Sequence, residues 1–360
     1  MMEKETILVG LSGGVDSAAA AVLLKEQGYR VIGATMLVWD PSLPVPKGEY
    51  QKNACLSPEK EDLTEIENIA ARLGIEHVKV DCRREYRQVV LDNFRLEYSC
   101  GRTPNPCVLC NSFIKFGVLP GAARAQGIAF DKFATGHYAR IAYDEKSRKY
   151  LLKKAADLSR DQSYFLHRLT QKQLAHVLFP LGDMTKPEIR EVARKAGLAV
   201  ADKEDSQDFY CGDYNELLNF SNKPGDIVTK DGKTVARHNG VWGYTIGKRK
   251  GLGISGFAEP MYVVGIDAKK NQVIIGPKAD LYSAALTADN MSWVAGEPPA
   301  AEFDCEIKIR NLHHPAKARV RVLPSGEIEA AFQEPQLSVT AGQSAVLYDA
   351  DTVLGGGVIH

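Results

Sequence analysis

The stretch ETILVGLSGGVDSAAAAVLLKEQGY, residues 5–29, decides the fold of this chain. An apolar run is followed by a glycine turn and then by an Ala- and Leu-rich run, which predicts strand, loop and helix in that order. Further apolar runs alternate with helix-like segments as far as FDKFATG at residues 130–136. Strands separated by helices form parallel sheets with right-handed crossovers. The sequence therefore predicts an α/β fold that begins with a parallel sheet.

The pattern changes after residue 138. A hairpin is predicted at residues 139–154 (ARIAYDEKSRKYLLKK), followed by an all-helical extension with a helix start at Thr185. From about residue 216, short β-rich runs punctuated by Gly, Pro and Asp take over. We predict three domains: a catalytic sheet domain with a helical extension at 1–215, a small central β domain at 216–280 and a C-terminal β-barrel-like domain at 281–360.

The composition limits the class of protein. The 360 residues, 44% hydrophobic and 25% charged, are typical of a globular protein of several domains and exclude disordered, fibrous and disulfide-knot classes. Because Lys plus Arg and Asp plus Glu each total 45, a nucleic-acid partner needs a local basic surface. No signal segment and no run approaching the ~20 apolar residues of a membrane span are visible, which predicts a cytoplasmic protein.

The loop SGGVDS is the first candidate site. Gly13 and Gly14 let backbone amides approach a phosphate, and the following helix points its positive end at the same place. Ser12 and Ser17 add hydroxyl donors. Asp16 suits a Mg²⁺ ion that bridges phosphates, or it only complements the helix dipole. The loop matches neither the Walker nor the dinucleotide pattern. A purely structural turn is the alternative to a pyrophosphate cradle.

Cysteines form the second candidate site. In GRTPNPCVLCNSFIKFG, residues 101–117, Cys107 and Cys110 lie one helical turn apart at the start of a predicted helix. A helix N-terminus and nearby cations such as Arg102 and Lys115 lower thiol pKa values, which favours Cys110 as a nucleophile. A CxxC pair is also typical of redox, zinc and iron–sulfur sites, although zinc normally takes four ligands.

Of the other thiols, only Cys211 lies in an equally polar, loop-like segment, KEDSQDFYCGDY, where we expect it to be accessible. Seven cysteines are an odd set for a reducing compartment, so some of them are expected to do chemistry. The remaining four are predicted to be structural: Cys55, Cys82, Cys100 and Cys305.

SGGVDS resembles the loop of the PP-loop ATP pyrophosphatases, whose loop holds ATP that is cleaved to AMP while a substrate oxygen is adenylated. In such sheets the nucleotide lies at the carboxyl ends of the strands. Met36, at the end of the second strand, and Gly136, at the end of FDKFATG, are placed to contact ATP. Met36 is equally well explained as a core residue. His137 lies at the same edge, placed for ribose or substrate.

Six motifs extend the resemblance over the whole chain. They are GLSGGVDS, GRTPNPCVLCN with IKFG, TGHYAR, RDQSYFL, SQD and YTIGKRKGLGI. Together they resemble the tRNA 2-thiouridylase family. The resemblance implies an enzyme that uses ATP and Mg²⁺ to adenylate the carbon-2 oxygen of the wobble uridine of tRNA and replaces it with sulfur. It also implies a sulfur donor, either a cysteine desulfurase or a sulfur-relay protein.

The resemblance assigns roles to individual residues. ATP is held by Gly10, Leu11, Ser12, Gly13, Gly14, Val15, Asp16, Ser17, Met36 and Gly136. The target base is contacted by Asn105, Pro106 and Cys107. The tRNA is contacted by His137, Arg160, Asp161, Gln162, Arg310, Asn311 and Gln343. Cys110 is the nucleophile, and Cys211 carries a persulfide or forms a transient disulfide with Cys110.

Two departures from the family pattern matter. Many members carry Asp where this chain has Cys107, so Cys107, Cys110 and Cys211 together can hold a [4Fe–4S] cluster that carries the sulfur. The family usually has SQDICF, whereas SQDFYC places Cys211 one residue later. Two other functions stay open: another PP-loop synthetase, which needs no thiols, and a non-catalytic RNA-binding zinc protein.

Overall fold

The computed structural model describes residues 4–46, 54–205 and 208–360, so Ser206 and Gln207 of the SQD motif lie outside the described residues. Its strands are β1 Thr6–Gly10, β2 Arg30–Leu37, β3 Glu76–Asp81, β4 Lys132–Ala134, β5 Ala139–Asp144, β6 Lys149–Lys154, β7 Val177–Leu178, β8 Gly225–Thr229, β9 Thr234–His238, β10 Met261–Asp267, β11 Gln272–Pro277, β12 Tyr282–Trp293, β13 Glu302–Lys308, β14 Ala316–Val322, β15 Ile328–Leu337, β16 Ser344–Asp349 and β17 Thr352–Ile359. Its α-helices are α1 Val15–Glu26, α2 Thr64–Leu73, α3 Arg83–Tyr86, α4 Asp92–Ser99, α5 Pro106–Leu109, α6 Leu119–Ala125, α7 Gln171–Leu174, α8 Lys186–Lys195 and α9 Tyr214–Leu218.

The N-terminal sheet is parallel, as the sequence predicts. Its strand order is β3-β2-β1-β4-β7, and each neighbouring pair is parallel. Ile7, Leu8 and Val9 of the central strand are fully buried because helices cover both faces of the sheet. The chain leaves β1 to one side and later returns to the other. The topological switch point therefore lies between β1 and β4, where α/β sheets bind ligands at the carboxyl edge.

A continuous helical segment, Pro106–Ala125, follows the loop at residues 101–105. It comprises α5, a π-helical stretch Cys110–Val118 and α6. The predicted helix begins near residue 111, but the observed one starts at Pro106, a residue suited to a first helical turn. Both cysteines of the CxxC pair consequently lie within the helix.

By length and composition alone, this segment is apolar enough to cross a membrane, with a mean hydropathy of 1.2. However, 44% of it is buried inside the protein. The prediction that nothing approaches a span is therefore wrong by composition. Ile114, Phe116 and Leu119 pack in the main core, which identifies Pro106–Ala125 as a core helix.

After the predicted hairpin, the regular elements of the described residues as far as Leu218 are helices apart from the short strand β7, so the helical extension is not wholly helical. The hairpin is confirmed as β5 and β6, but Lys153 of β6 pairs with Thr352 of β17 and extends the C-terminal sheet. The two-residue strand β7 adds an edge to the parallel sheet. These pairings join segments far apart in the chain, which local sequence pattern does not reveal.

Two further sheets follow. The central sheet has the order β10-β11-β8-β9, with β8 and β11 parallel. In the C-terminal sheet, pairing of β12 with both β15 and β17 closes β12, β15, β14, β13, β16 and β17 into a barrel. Ile307, Val320 and Leu347 fill its interior. An α/β sheet domain followed by two β units is confirmed as the fold class.

Candidate active site

The glycine loop connects β1 to α1 in a conformation that leaves its amides open to a ligand. Gly13 has a φ of +76°, a conformation that side chains rarely adopt. The Ser12 N–H donates to Ser17 Oγ at 3.2 Å, and Ser17 Oγ donates to the Gly14 carbonyl at 3.1 Å. Among the described residues no side chain caps the start of α1, so the amides of its first turn are available for an anion. The loop fits pyrophosphate.

Lysines that the sequence analysis missed surround this loop. Lys60 Nζ donates to the Ser12 carbonyl at 3.1 Å, and Lys203 Nζ donates to the Gly13 carbonyl at 3.2 Å. Lys203 also forms an ion pair with Glu65. Both lysines come from segments remote in sequence. The available signal for Lys203 was its position at the start of KEDSQD, beside the SQD motif. Both lysines supply positive charge where polyphosphate would lie.

Asp16 belongs to a partly buried ionic network centred on Lys186. Its Oδ1 accepts from Lys186 Nζ at 2.7 Å and from the Tyr138 hydroxyl at 2.8 Å. Lys186 is only 6% exposed and also contacts Asp205 Oδ1 at 2.5 Å. Asp205 in turn pairs with Arg160 at 2.8 Å. Asp16 is therefore held in place by a cation, and the sequence analysis did not identify Lys186 or Asp205.

The end of β4 touches the loop directly. A Cβ atom on Gly136 would lie 2.6 Å from the Asp16 carbonyl carbon and 2.7 Å from the Ser17 nitrogen. The next residue, His137, has Nδ1 2.7 Å from Thr135 Oγ1. Burial, with a further contribution from Lys115, holds the pKa of His137 well below its usual range. His137 is therefore a neutral imidazole.

Met36 lies where the sequence places it, near the carboxyl end of β2. It is half-buried, pairs with Val80 of β3 and packs against the main core. The structure accommodates both the ATP contact and the core role for this residue.

Cys107 and Cys110 lie half-buried in the first turns of the Pro106–Ala125 helix. Burial raises the pKa of Cys110 to about 11, although Lys115 acts to lower it, and burial also raises the pKa of Cys107. The predicted lowering of the Cys110 pKa is therefore wrong, because loss of hydration outweighs the cation. Arg102 forms an ion pair with Glu97 at 2.8 Å.

Cys211 is buried, although the sequence analysis expects it to be accessible. Cys211 is 4% exposed, and burial raises its pKa, whereas Cys55 is exposed. The reason is an isolated parallel bridge between Leu56 and Tyr210, in which the Cys211 N–H donates to the Leu56 carbonyl at 3.3 Å. The expected accessibility of Cys211 is therefore wrong, whereas the structural role of Cys55 stays a prediction. Among the described residues, no group of three His, Cys, Asp or Glu side chains is placed to hold a metal ion.

Asn111 is a further residue that the sequence analysis missed. It follows Cys110, is 5% exposed, and its Oδ1 has no hydrogen-bond partner within the described ranges. An unpaired buried acceptor costs about 1–3 kcal/mol, which a substrate donor can recover. The only available signal was its place in the CVLCN motif.

The segment Arg160–Gln162 packs beside the loop network. Gln162 Oε1 accepts the Tyr138 N–H at 3.1 Å, and Asp161 Oδ1 accepts the Ala155 N–H at 3.1 Å. With the Arg160–Asp205 pair, all three side chains make contacts within the chain. The structure brings this segment close to Asp16.

The C-terminal barrel fixes the loop before the thiols. Gln343 Nε2 donates to the Thr103 carbonyl at 2.9 Å and to the Pro104 carbonyl at 3.2 Å. Arg310 donates to Thr340 Oγ1 at 2.6 Å. Asn311 Oδ1 is buried without a partner among the described residues. Gln343 therefore positions the loop that leads to Asn105 and Pro106.

The loop and the thiol helix meet at one edge of the sheet. Gly136 lies against Asp16 and Ser17, and the ring of its neighbour His137 lies 5.6 Å from Phe116 of the thiol helix. Lys115 of that helix acts electrostatically on both His137 and Cys110. The phosphate loop and the thiol pair are thus joined through two residues at the end of β4.

Three families match successive parts of the chain: tRNA methyl transferase HUP domain at residues 5–211, tRNA methyl transferase PRC-barrel domain at 216–277 and aminomethyltransferase beta-barrel domain at 283–359. The tRNA-specific 2-thiouridylase MnmA of Endomicrobium trichonymphae is 55% identical over 99% of this chain and 100% of its own length. The chain belongs to the tRNA-specific 2-thiouridylase family. The 2-thiouridylase of Geotalea uraniireducens is 43% identical over 99% of this chain and 96% of its own length.

The family resemblance inferred from the motifs is therefore confirmed. Among solved structures, a 4-thiouridine synthetase in complex with RNA and ATP is similar with a TM-score of 0.34 and 16% identity, over 56% of this chain and 44% of that one. That likeness is too low to carry an argument about this 2-thiouridylase-family chain.

Proposed function

We propose that this chain is a tRNA-uridine 2-sulfurtransferase. It adenylates the carbon-2 oxygen of the wobble uridine with ATP, releases pyrophosphate, and replaces the oxygen with sulfur as AMP leaves. The observation that carries the proposal is the junction at Gly136 and His137, which brings the phosphate loop and the Cys110 helix to one sheet edge. Membership of the 2-thiouridylase family supports the choice of substrate.

The loop binds the polyphosphate of ATP. Open amides at the start of α1 and the ammonium groups of Lys60 and Lys203 offset its negative charge. Mg²⁺ fits beside the carboxylate of Asp16, an oxygen ligand of the kind this ion prefers. When bound, such an ion would supply positive charge to the pyrophosphate leaving group. Lys186 bridges Asp16 and Asp205, and it is the cation that the ion would displace from Asp16.

The base lies between the loop and the thiols. Asn105, Pro106 and Cys107 line the approach, and Asn111 offers its unpaired oxygen to a donor on the base. His137 is neutral, so it contributes hydrogen bonding without a charge. A wobble base is unpaired in the free anticodon loop, so its extrusion into this site costs little. Arg160, Asp161, Gln162, Arg310, Asn311 and Gln343 are the proposed tRNA contacts.

Cys110 is the thiol proposed to act at the base. Its raised pKa keeps it protonated until a bound substrate or its neighbour Lys115 stabilises the thiolate. The family pattern gives the second sulfur role to Cys211. The [4Fe–4S] alternative requires Cys107, Cys110 and Cys211 to converge, and among the described residues no group of three such side chains is placed to hold a metal ion. We therefore route no step through a cluster.

A sulfur donor, either a cysteine desulfurase or a sulfur-relay protein, completes the reaction. All seven cysteines are free, which accords with action in the reducing cytoplasm. The word methyl transferase in two of the family descriptions names a different chemistry. Methyl transfer needs neither ATP cleavage to AMP nor a group of thiols, so the phosphate loop and the cysteines favour thiolation.

The test is mass spectrometry of tRNA nucleosides after incubation with ATP, Mg²⁺ and inorganic polysulfide. We expect 2-thiouridine and AMP from the wild type and no 2-thiouridine from Cys110→Ala. A PP-loop synthetase of another kind would form AMP without 2-thiouridine, and an RNA-binding zinc protein would form neither product. Equal 2-thiouridine yield from the wild type and the variant would contradict the role of Cys110.

A further inference from the structure

Cys110 lies at the start of a π-helical stretch. Residues Cys110–Val118 have this geometry, in which each N–H bonds to the carbonyl five residues earlier instead of four. Each turn therefore holds an extra residue, and π-helical turns are found mostly singly and often at functional sites. Because the stretch begins at Cys110, its geometry determines where that thiol lies relative to Phe116 farther along the helix.

One side chain from another element, Gln173 of α7, binds this stretch. Its Nε2 donates to the Ser112 carbonyl at 3.0 Å and to the Phe116 carbonyl at 3.1 Å. The two acceptors lie about one helical turn apart, so a single amide spans a turn of the π-helical stretch. Gln173 is thus placed to hold the spacing of that turn.

Four hydrogen bonds fix the orientation of the Gln173 amide. Its Oε1 accepts from the Thr170 N–H at 2.9 Å and from the Thr170 hydroxyl at 3.0 Å, which forms the capping box of α7. Both amide hydrogens are then directed at the thiol helix. Exchange of the amide oxygen and nitrogen would turn the oxygen toward two carbonyls and break these bonds. The amide is therefore a fixed donor whose position is set by α7.

The segment that carries Gln173 also contacts the end of β4. After α7 the chain enters β7, which pairs in parallel with β4. The next residue, Phe179, has its ring 5.8 Å from that of Phe116 and 6.0 Å from that of His137. Residues 171–179 therefore form a brace that connects the thiol helix to the strand end at Gly136 and His137.

We propose that Gln173 is a positioning residue for sulfur transfer, because its amide holds the π-helical stretch in the geometry that brings Cys110 to the base. This inference rests on the proposed 2-thiouridylase function. Cys110 and the buried Asn111 are the first two residues of the stretch, and Gln173 bonds to the carbonyl of the next residue, Ser112. Gln173 acts through the helix and touches neither the base nor the sulfur.

Loss of this amide lets the stretch relax toward a regular α-helix, which holds one residue fewer in each turn. Cys110 and Asn111 would then rotate about the helix axis relative to Phe116, whose ring lies 5.6 Å from His137. A misplacement of about 1 Å costs on the order of 10²-fold in rate. The pairing of β7 with β4 does not involve the Gln173 side chain, so the phosphate loop and adenylation should be spared.

Gln173→Glu isolates the two bonds to the thiol helix. Glu keeps the length of the side chain and the oxygens that accept from Thr170. Its carboxylate cannot donate to the carbonyls of Ser112 and Phe116. The capping box is therefore retained, and only the contact with the π-helical stretch is lost.

Gln171→Glu is the matched control on the same helix. Gln171 Oε1 accepts the Tyr150 N–H at 2.8 Å, and its Nε2 donates to the Tyr150 carbonyl at 2.8 Å and to the Val294 carbonyl at 2.7 Å. This variant also loses two amide-to-carbonyl bonds and keeps an acceptor. Its lost bonds lead to β6 and to the residue after β12, so the thiol helix is untouched.

The wild type and both variants are incubated with tRNA, ATP, Mg²⁺ and inorganic polysulfide. Pyrophosphate release, which reports adenylation, and 2-thiouridine are measured separately, together with the KM for tRNA. Hydrogen exchange of residues 110–118, followed by peptide mass, reports on the stretch without requiring activity. Urea unfolding gives the stability of each protein.

We expect Gln173→Glu to form 2-thiouridine about 100-fold more slowly, with pyrophosphate release and the KM for tRNA within about twofold of the wild type. Residues 110–118 should exchange about 10-fold faster, since two hydrogen bonds are lost. Gln171→Glu should lose a similar amount of stability, yet keep the wild-type rate of thiolation and the wild-type exchange of residues 110–118.

Normal 2-thiouridine formation by Gln173→Glu would overturn the proposal. Equal losses of thiolation by the two variants would also overturn it, since Gln173 would then serve stability alone. An equal loss of pyrophosphate release and 2-thiouridine, or unchanged exchange of residues 110–118 in Gln173→Glu, would contradict the action through Cys110. Absence of 2-thiouridine from the wild type would instead defeat the proposed function, and hydrogen exchange would still show whether Gln173 holds the stretch.

Discussion

Gly136→Ala tests the junction between the end of β4 and the phosphate loop. The added Cβ would lie 2.6 Å from the Asp16 carbonyl carbon, 2.7 Å from the Ser17 nitrogen and 2.8 Å from the Asp16 oxygen. All three are backbone atoms, so no side-chain rotation relieves the overlap. To bring the closest pair from 2.6 Å to an ordinary contact of 3.4 Å, the strand end and the loop must separate by 0.8 Å.

This separation predicts a defect in catalysis and a smaller one in stability. A misplacement of about 1 Å costs on the order of 10²-fold in rate, and overpacking of a tight site costs about 1–3 kcal/mol. We therefore expect tRNA-dependent AMP formation to fall about 100-fold, with a lower thermal midpoint. The rate loss has this size because Asp16 and Ser17 belong to the turn that grips phosphate.

Gly121→Ala is the matched control. Gly121 lies in α6, and a Cβ there has no neighbour within 4 Å. Alanine is favoured over glycine in a helix by about 1 kcal/mol, so this variant should keep its activity and have a thermal midpoint no lower than that of the wild type. AMP is measured by chromatography at saturating tRNA. Wild-type AMP formation by a folded Gly136→Ala variant would refute the placement of Gly136 against the loop.

Three other predictions follow from the contacts. Lys186→Met leaves Asp16 and Asp205 without their shared cation. We expect the free energy of unfolding in urea to fall by about 2 kcal/mol, a modest loss because solvent screens these partly exposed carboxylates. A smaller loss for Lys186→Arg would agree with this role. Gln343→Ala removes two hydrogen bonds to the loop before α5, which should lower stability by about 1–3 kcal/mol and speed proteolytic cleavage of that loop; unchanged cleavage would contradict this. The rate of Cys110 alkylation, followed by peptide mass mapping, should keep rising up to a pH of about 11, because burial favours the neutral thiol. The stability that this thiol contributes should fall as pH rises above 9. A plateau of the alkylation rate below pH 9 would be inconsistent with this pKa.

The features that the sequence predicts best are local ones. SGGVDS and the CxxC pair carry their chemistry within a few residues, and the strand–loop–helix order around Gly13 follows from hydrophobic period and glycine placement. The cations around the loop were missed because Lys60, Lys186 and Lys203 come from three distant segments. Nothing in a local pattern brings those segments to one edge.

Burial explains the errors at the thiols. Exposure of Cys55 and burial of Cys211 follow from one long-range bridge between Leu56 and Tyr210, which polar neighbours in the sequence do not announce. Lys115 acts on Cys110 as expected, but the desolvation that opposes it depends on the packed core. The division at 215/216 and 280/281 stays a prediction.

The most direct measurement of the central claim follows the oxygen that leaves the base. tRNA labelled with oxygen-18 at carbon 2 of the wobble uridine is incubated with the protein, ATP, Mg²⁺ and polysulfide, and the AMP is analysed by mass spectrometry. Adenylation at the loop followed by sulfur attack at carbon 2 predicts one labelled oxygen in AMP for each 2-thiouridine formed. Unlabelled AMP alongside 2-thiouridine would contradict the account.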